Sequence, residues 1–252
     1  MYTKEIKSLQ HPIVKHLVKL RSSRHYRKEC GRLILEGKKM IEEYQGVIET
    51  LLITTQVPLT ATPPNDCYQV TPSILEKISA TPSPEPFLAE VALPSQGSLI
   101  GKSPLLALNG VSDPGNLGTL LRTALAMGFE GVFLTSGTAD PYSTKAMRSA
   151  KGASLLLPIQ TGTEKELLDL IKKNKLTSYV ADTKGPSLTT FESPLILVLG
   201  NESHGPSALL KNHAQPLSIP LSHKTESLNV AIAGGILMYK IKETLWPNSI
   251  NT

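Results

Sequence analysis

The chain has 252 residues, enough for one large domain or two smaller ones, and 40% hydrophobic with 19% charged residues describes a folded globular protein and excludes a disordered one. The net charge of +5 sits at the start: residues 1–45 hold eleven bases to five acids, and the remainder is nearly neutral. Cys30 and Cys67 have no metal-ligand spacing and make no disulfide framework, which argues against a metal-held or disulfide-held scaffold and for a reducing compartment.

In chain order, MYTKEIKSLQ lacks the apolar core of a signal peptide. The longest uncharged apolar run, VAIAGGILMY, is about half a membrane span. Both point to a cytoplasmic protein. HPIVKHLVKLRSSRHY reads as one helix, with Ile13, Leu17 and Leu20 at helical spacing. GRLILEG reads as a strand, KKMIEEYQ as a helix, IETLLIT as a strand, TPSILEKIS as a capped helix and AEVALP as a last strand. This is a small α/β domain over residues 1–95. In RSSRHYRKE the bases interleave with His25 and Tyr26, so Arg21, Arg24, Arg27 and Lys28 are candidates for binding RNA or another polyanion. A solvated helix face is the plainer reading of the same charges.

PSQGSLIGKSP is rich in Pro, Gly and Ser and gives a linker over residues 96–104. A second α/β domain, 105–252, follows. Its elements are LLALNG (strand), the helix of DPGNLGTLLRTALAMGF, GVFLTS (strand), TKAMRSAKGA (helix), LLLPI (strand), EKELLDLIKKN (helix) and TSYVAD (strand). PLILVLG (strand), PSALLKNH (short helix), PLSIPL (strand) and the long closing helix SLNVAIAGGILMYKIKETL complete it. Alternation of strands and helices predicts a mostly parallel sheet covered on both faces, and the unbroken apolar run of PLILVLG suits its centre.

Ligands of such sheets bind beyond the carboxyl ends of the strands, where three loops stand out. DPGNLGTLLRTALAMGF has Leu117, Leu120, Leu121, Ala124 and Leu125 on one stripe and Asn116, Thr119, Arg122 and Thr123 opposite. It matches neither the dinucleotide fingerprint nor the P-loop, which disfavours a Rossmann dehydrogenase and a P-loop kinase. Taken alone, Arg122 reads as a surface arginine. LGNESHGPS places Glu202 directly after the apolar strand, where a helix-start position would account for it as well. IPLSHKTESLNV enters a helix apolar on nearly every side, with Ser227 and Asn229 as polar exceptions; capping accounts for one more readily than for both.

Together, DPGNLGTLLRTALAMGF, LVLGNESHGPS and IPLSHKTESLNVAIAGGIL resemble the three motifs of the SpoU (TrmH-like) RNA ribose 2′-O-methyltransferases of the SPOUT superfamily, from about Leu105 to Leu245. More loosely, LILEGKKMIEE and TPSILEKISATPSPEPFLAEV resemble the L30e-like substrate-binding domain of many members. The resemblance implies a C-terminal α/β knot whose chain threads a trefoil, a homodimer, and S-adenosylmethionine as cofactor, with no metal. It implies a cofactor pocket lined by Leu199, Gly200, Ile219, Leu221 and Leu228, and catalytic roles for Asn116, Arg122, Glu202, Ser227 and Asn229. In this scheme Asn116 holds Arg122 or the ribose. The implied substrate is rRNA, with tRNA second. Intact polar residues at all five positions argue against the alternative of a catalytically silent RNA-binding or ribosome-assembly factor. The chain departs from the family pattern at His223, Thr225 and Ala231, in the third motif.

Overall fold

In a computed structural model of the protein, residues 4–54, 62–79, 81, 83–187, 189–222 and 225–246 are described. The chain divides into two compact units, the first made chiefly of Met1–Ser95, the second of Gln96–Pro141 and Lys145–Thr252.

The first unit runs β1 (Lys4–Ile6), α1 (Pro12–Ser22), α2 (Arg24–Cys30), β2 (Arg32–Glu36), α3 (Lys38–Glu43), β3 (Ile48–Ile53), β4 (Asp66–Val70), α4 (Pro72–Ser79) and β5 (Phe87–Ala92). Its sheet has the order β1-β4-β3-β5-β2, with β1, β4 and β3 parallel and β5 antiparallel to both its neighbours. Val14, Leu17 and Leu20 of α1 pack with Ile74, Leu75 and Ile78 of α4 against Leu52, Tyr68, Val70 and Leu88 of the sheet.

The single helix expected over HPIVKHLVKLRSSRHY is two. Ser23 adopts an extended backbone (φ −119°, ψ 111°), and its side chain accepts the Tyr26 amide hydrogen, so it closes α1 and caps α2. Serine side chains compete with the helix for backbone partners in this way. Glu90 of β5 is only 7% exposed; its carboxylate meets His16 Nε2 at 2.9 Å, and His16 Nδ1 lies 2.9 Å from the Tyr26 hydroxyl.

The second unit runs β6 (Leu105–Asn109), α5 (Pro114–Ala126), β7 (Gly131–Thr135), α6 (Thr144–Ala150), α7 (Ala153–Leu156), β8 (Ile159–Gly162), α8 (Glu164–Asn174), β9 (Thr177–Ala181), β10 (Leu195–Gly200), α9 (Ala208–Lys211), β11 (Gln215–Leu217) and α10 (Val230–Leu245). Its six strands are all parallel, in the order β11-β9-β10-β6-β7-β8.

Both faces of this sheet are covered, which is why its central strands do not alternate in polarity. Leu106, Leu108, Leu195, Leu197 and Leu199 face α5, α6, α7 and α10; Leu105, Ala107, Ile196 and Val198 face α8 and α9. Each fully buried leucine contributes about 1.5–3 kcal/mol of transfer free energy.

Two expected strands differ. LLLPI is not a strand: Leu155 and Leu156 belong to α7, and β8 begins only at Ile159, after Pro158. A short apolar run does not distinguish helix from strand by periodicity. PLSIPL gives only its first two residues, Pro216 and Leu217, to the three-residue β11, and the chain leaves the sheet at Ser218. Among the described residues no helix is long and apolar enough to cross a membrane.

Candidate functional site

The carboxyl end of β6 runs into α5 through Val111–Asp113. Asp113 caps α5 by accepting the Asn116 amide hydrogen at 2.8 Å, and Pro114 fills a first-turn position that needs no donor. Lys145 Nζ lies 2.6 Å from the other Asp113 oxygen. The Lys145 ammonium and the Asn116 amide hold this carboxyl below its ordinary range.

Leu117, Leu120, Leu121 and Ala124 are buried as expected, while Leu125 is 38% exposed. A Cβ at Gly118 would strike the Ala146 carbonyl and Ser149, so glycine here lets α5 lie directly on α6. Arg122 lies on the opposite side of α5, exposed, with no hydrogen bond or ion pair to any described residue.

The second loop leaves β10 at Gly200, where a Cβ would run into the backbone of Gly205 and Pro206. Asn201 shapes the loop: its Oδ1 accepts the amide hydrogens of Ser203 and His204 at 2.9 and 3.2 Å. Glu202 reaches back to the start of α5. One carboxylate oxygen accepts the Ser112 amide and hydroxyl at 3.1 and 3.2 Å, and the other accepts the Asp113 amide at 3.2 Å and Asn116 Nδ2 at 3.0 Å. Partial burial by itself would raise the Glu202 carboxyl; the hydrogen bonds from Asn116 and the backbone amides outweigh it and hold the group below its ordinary value.

The third loop enters α10 at Asn229. Its Oδ1 caps the helix, accepting from the Ala231 and Ile232 amides at 2.9 and 3.3 Å, and its Nδ2 donates to Asn116 Oδ1 at 3.0 Å. A single chain of hydrogen bonds therefore runs Asn229 to Asn116 to Glu202 to Ser112 and Asp113. It ties together three loops that the sequence separates by 86 and 113 residues.

Beside this chain lies a cavity of about 370 Å³, within the size range of small-ligand sites. Leu199, Gly200, Ile219, Leu221 and Leu228 line it, joined by Glu202 and Ser227. Its wall also includes Asp182, paired with Lys211 Nζ at 2.9 Å, and Glu226. The Lys184 backbone amide and the Lys211 ammonium hold the Asp182 carboxyl below its ordinary range. Apolar side chains together with the Glu202 and Glu226 carboxylates fit a ligand that has an apolar part and a cationic centre. S-adenosylmethionine has both.

The structure brings Asn116, Glu202 and Asn229 into contact and sets Ser227 on the cavity wall; the Ser227 hydroxyl has no partner among the described residues. Arg122 touches none of them. Asn116 does not hold Arg122: its side-chain oxygen receives Asn229 and its nitrogen engages Glu202. Of the basic cluster, Arg24 and Lys28 are exposed and Arg21 is half-buried. Arg27 is buried at 4% exposed, with its guanidinium donating to the carbonyls of Leu20 and Arg21 at the end of α1. It is a helix-terminating residue and not part of an open surface. Ser23, which turns the chain between α1 and α2, is the sequence signal that would have placed Arg27 against that terminus.

Sequence reasoning passed over Asn201, Lys145 and Asp182, which hold the loops by contacts across the fold. Thr225 donates its hydroxyl to the Ser227 carbonyl at 3.2 Å, Ala231 is buried at the start of α10, and His223 lies outside the described residues. Among the described residues, no group of three or more His, Cys, Asp or Glu is placed to hold a metal ion.

Residues 103–239 match the model of the SpoU rRNA Methylase family, and residues 11–89 match that of the MRM3-like substrate binding domain. The chain is 33% identical over 276 residues to an uncharacterized tRNA/rRNA methyltransferase of Synechocystis, covering 97% of this chain and 95% of that protein. It is 30% identical over 260 residues to the 23S rRNA (guanosine(2553)-2′-O)-methyltransferase RlmP of Bacillus subtilis, covering 95% and 99%. Among solved structures it is similar to the AdoMet-bound rRNA methyltransferase from Sinorhizobium meliloti, with a TM-score of 0.83 and 25% identity over 97% of this chain and 98% of that one.

Proposed function

The chain belongs to the SpoU rRNA methylase family, and on that footing we propose that it transfers a methyl group from S-adenosylmethionine to a ribose 2′-hydroxyl of ribosomal RNA. The observation that carries this reading is the hydrogen-bonded convergence of Asn229, Asn116 and Glu202 on the edge of a cavity lined by the second and third motifs.

The cofactor, when bound, supplies an electrophilic methyl group on a sulfonium. Leu199, Gly200, Ile219, Leu221 and Leu228, which line the cavity, would hold its apolar part and exclude water from it. Arg122, exposed and without a partner among the described residues, is the residue of α5 whose guanidinium fork engages an RNA phosphate and balances charge developing on the ribose oxygen. A guanidinium stays protonated, so Arg122 orients and stabilises; as the oxygen–methyl bond forms and the methyl–sulfur bond breaks, the hydroxyl proton leaves to a phosphate oxygen or to water. Asn116, Glu202 and Asn229 fix the start of α5, and hence Arg122, relative to the cavity wall. Ser227 closes that wall with a hydroxyl that has no partner among the described residues.

The basic residues Arg21, Arg24 and Lys28 of the first unit bind the RNA backbone, a reading supported by the exposure of Arg24 and Lys28 on α2 and by the half-exposed Arg21 at the end of α1, a helix without acids. The second unit pairs with a second copy through α10, where Ile232, Ile236 and Tyr239 form a stripe 56%, 36% and 48% exposed. The return of the chain from β11 at the sheet edge to pack α10 on α5 and β10 supports a trefoil crossing. The working compartment is the cytoplasm, where ribosomal RNA is found.

Calorimetry with S-adenosylmethionine, followed by mapping of 2′-O-methyl positions on ribosomal RNA with and without the protein, tests the reading. Absence of binding at millimolar cofactor, or an unchanged map, would refute it.

A further inference from the structure

The second loop is gripped at both ends by two consecutive residues of β6 and its continuation. Asn109, 7% exposed, accepts the Ser207 amide hydrogen with its Oδ1 at 2.8 Å. Its Nδ2 donates to Thr135 Oγ1 at 3.1 Å and to Glu164 Oε1 at 2.7 Å. The other Glu164 oxygen accepts the Ser207 hydroxyl at 2.9 Å. At the front of the loop, the Gly110 carbonyl accepts Asn201 Nδ2 at 2.9 Å.

Between these two anchors lie Glu202, Ser203, His204, Gly205 and Pro206, all on the cavity wall, whereas Asn109, Glu164 and Ser207 are not on it. A glutamate at the first position of a helix is favoured by the helix dipole with no partner at all. Glu164 instead turns both oxygens onto a strand end and a neighbouring loop.

We propose that Asn109 and Glu164 are positioning residues: acting through Ser207, they set the shape of the loop that walls the cofactor cavity and so set the affinity for S-adenosylmethionine. The proposal rests on the functional reading above. A clamp of this kind changes cofactor affinity and leaves the chemical step alone, because neither residue reaches the reacting atoms. Glu164→Ala removes both acceptors. Losing two net hydrogen bonds to a charged group weakens cofactor binding about tenfold. Glu164→Gln keeps one acceptor oxygen and is expected to weaken it about threefold.

The experiment measures, on the full chain, the cofactor dissociation constant by calorimetry and kcat at saturating cofactor for the unmodified protein, Glu164→Ala, Glu164→Gln, Asn109→Ala and the Asn109→Ala/Glu164→Ala double variant. Thermal unfolding shows which variants are folded. Weaker binding with kcat held within about twofold supports the clamp. So does a double variant whose loss falls short of the product of the singles, because the two side chains act through one contact. Should the Ala variant not fold, Glu164→Gln decides. Unmodified affinity in the folded Glu164 variants, or a fall in kcat with affinity unchanged, would overturn the proposal. Lack of cofactor binding by the unmodified protein would overturn the functional reading itself, an outcome visible before any variant is made.

Discussion

Replacing Glu202 with glutamine tests whether the hydrogen-bonded chain between the loops matters for catalysis. The carboxylate accepts four hydrogen bonds, two on each oxygen. A glutamine oriented to keep the Asp113 amide and Asn116 turns its NH2 toward Ser112: the bond from the Ser112 amide is lost with donor facing donor, and the hydroxyl stops donating and has to rotate to accept. Bonds to a buried charge would be worth about 1.5–3 kcal/mol each, but Glu202 is largely solvated, and about 0.5–1 kcal/mol each is the appropriate scale. The anchored arrangement of α5 against the second loop should therefore weaken by about 1–2 kcal/mol, a factor of about 5 to 30 in its population. Single-turnover methylation of ribosomal RNA at saturating cofactor should slow by that factor, and amides of residues 112–116 should exchange with solvent faster. A Glu202→Gln protein whose single-turnover rate stays within about twofold of the unmodified one would refute the idea that this carboxylate aligns the site.

Arg122→Ala should abolish methyl transfer while changing stability by less than about 0.5 kcal/mol, as expected for an exposed side chain without partners; a large loss of cofactor affinity in calorimetry would contradict its assignment to the RNA side. Gly200→Ala places a methyl group against the backbone of Gly205 and Pro206 and should destabilise the fold by about 1–3 kcal/mol and impair cofactor binding, read by thermal unfolding and calorimetry. Neutralising Arg21, Arg24 and Lys28 should weaken RNA binding and flatten its salt dependence in filter binding, whereas Arg27→Ala should lower the unfolding temperature through the lost contacts at the end of α1. The Glu202 carboxyl is held below its ordinary value, so what its charge contributes is complete above the unfolded value of about 4.3 and is lost as pH falls through the lower folded value. Cofactor affinity should be flat between about pH 8 and pH 5; a decline centred above pH 5 would show that another group controls the loop.

The second unit was largely legible because its strands and helices announce themselves locally. The limits of EKELLDLIKKN coincide with those of α8, since Thr163 and Glu166 form a reciprocal cap that is written in the sequence. The apolar run of β10 declared a central strand. The misses have equally local causes. β1 is three residues long, and DCYQV of β4 begins with a charge after a proline-containing stretch, so neither carries an alternating pattern long enough to read. The buried Glu90 could not be told from a solvated one, because only the fold brings His16 to it across 74 residues of chain.

The site divides along the same line. The residues at the three loops became readable as a site through the resemblance of the three motifs to a known family; taken alone, Arg122 in mid-helix read as a surface arginine and Glu202 as a helix-start acid. Their partners were not readable, because partnership is tertiary. The resemblance implied that Asn116 holds Arg122 or the ribose; in the structure its side chain engages Glu202 and Asn229. The consequence is physical. An Asn116 bonded to Arg122 would tie up the guanidinium and leave the loops to find each other. With its oxygen on Asn229 and its nitrogen on Glu202, Asn116 joins the loops, and among the described residues none of the five Arg122 donors is engaged, as the proposed contact with a phosphate requires. Fixing the frame with neutral amides and one carboxylate, with the cation unpaired among the described residues, is the division of labour the proposed site needs if its substrate supplies the counter-charge.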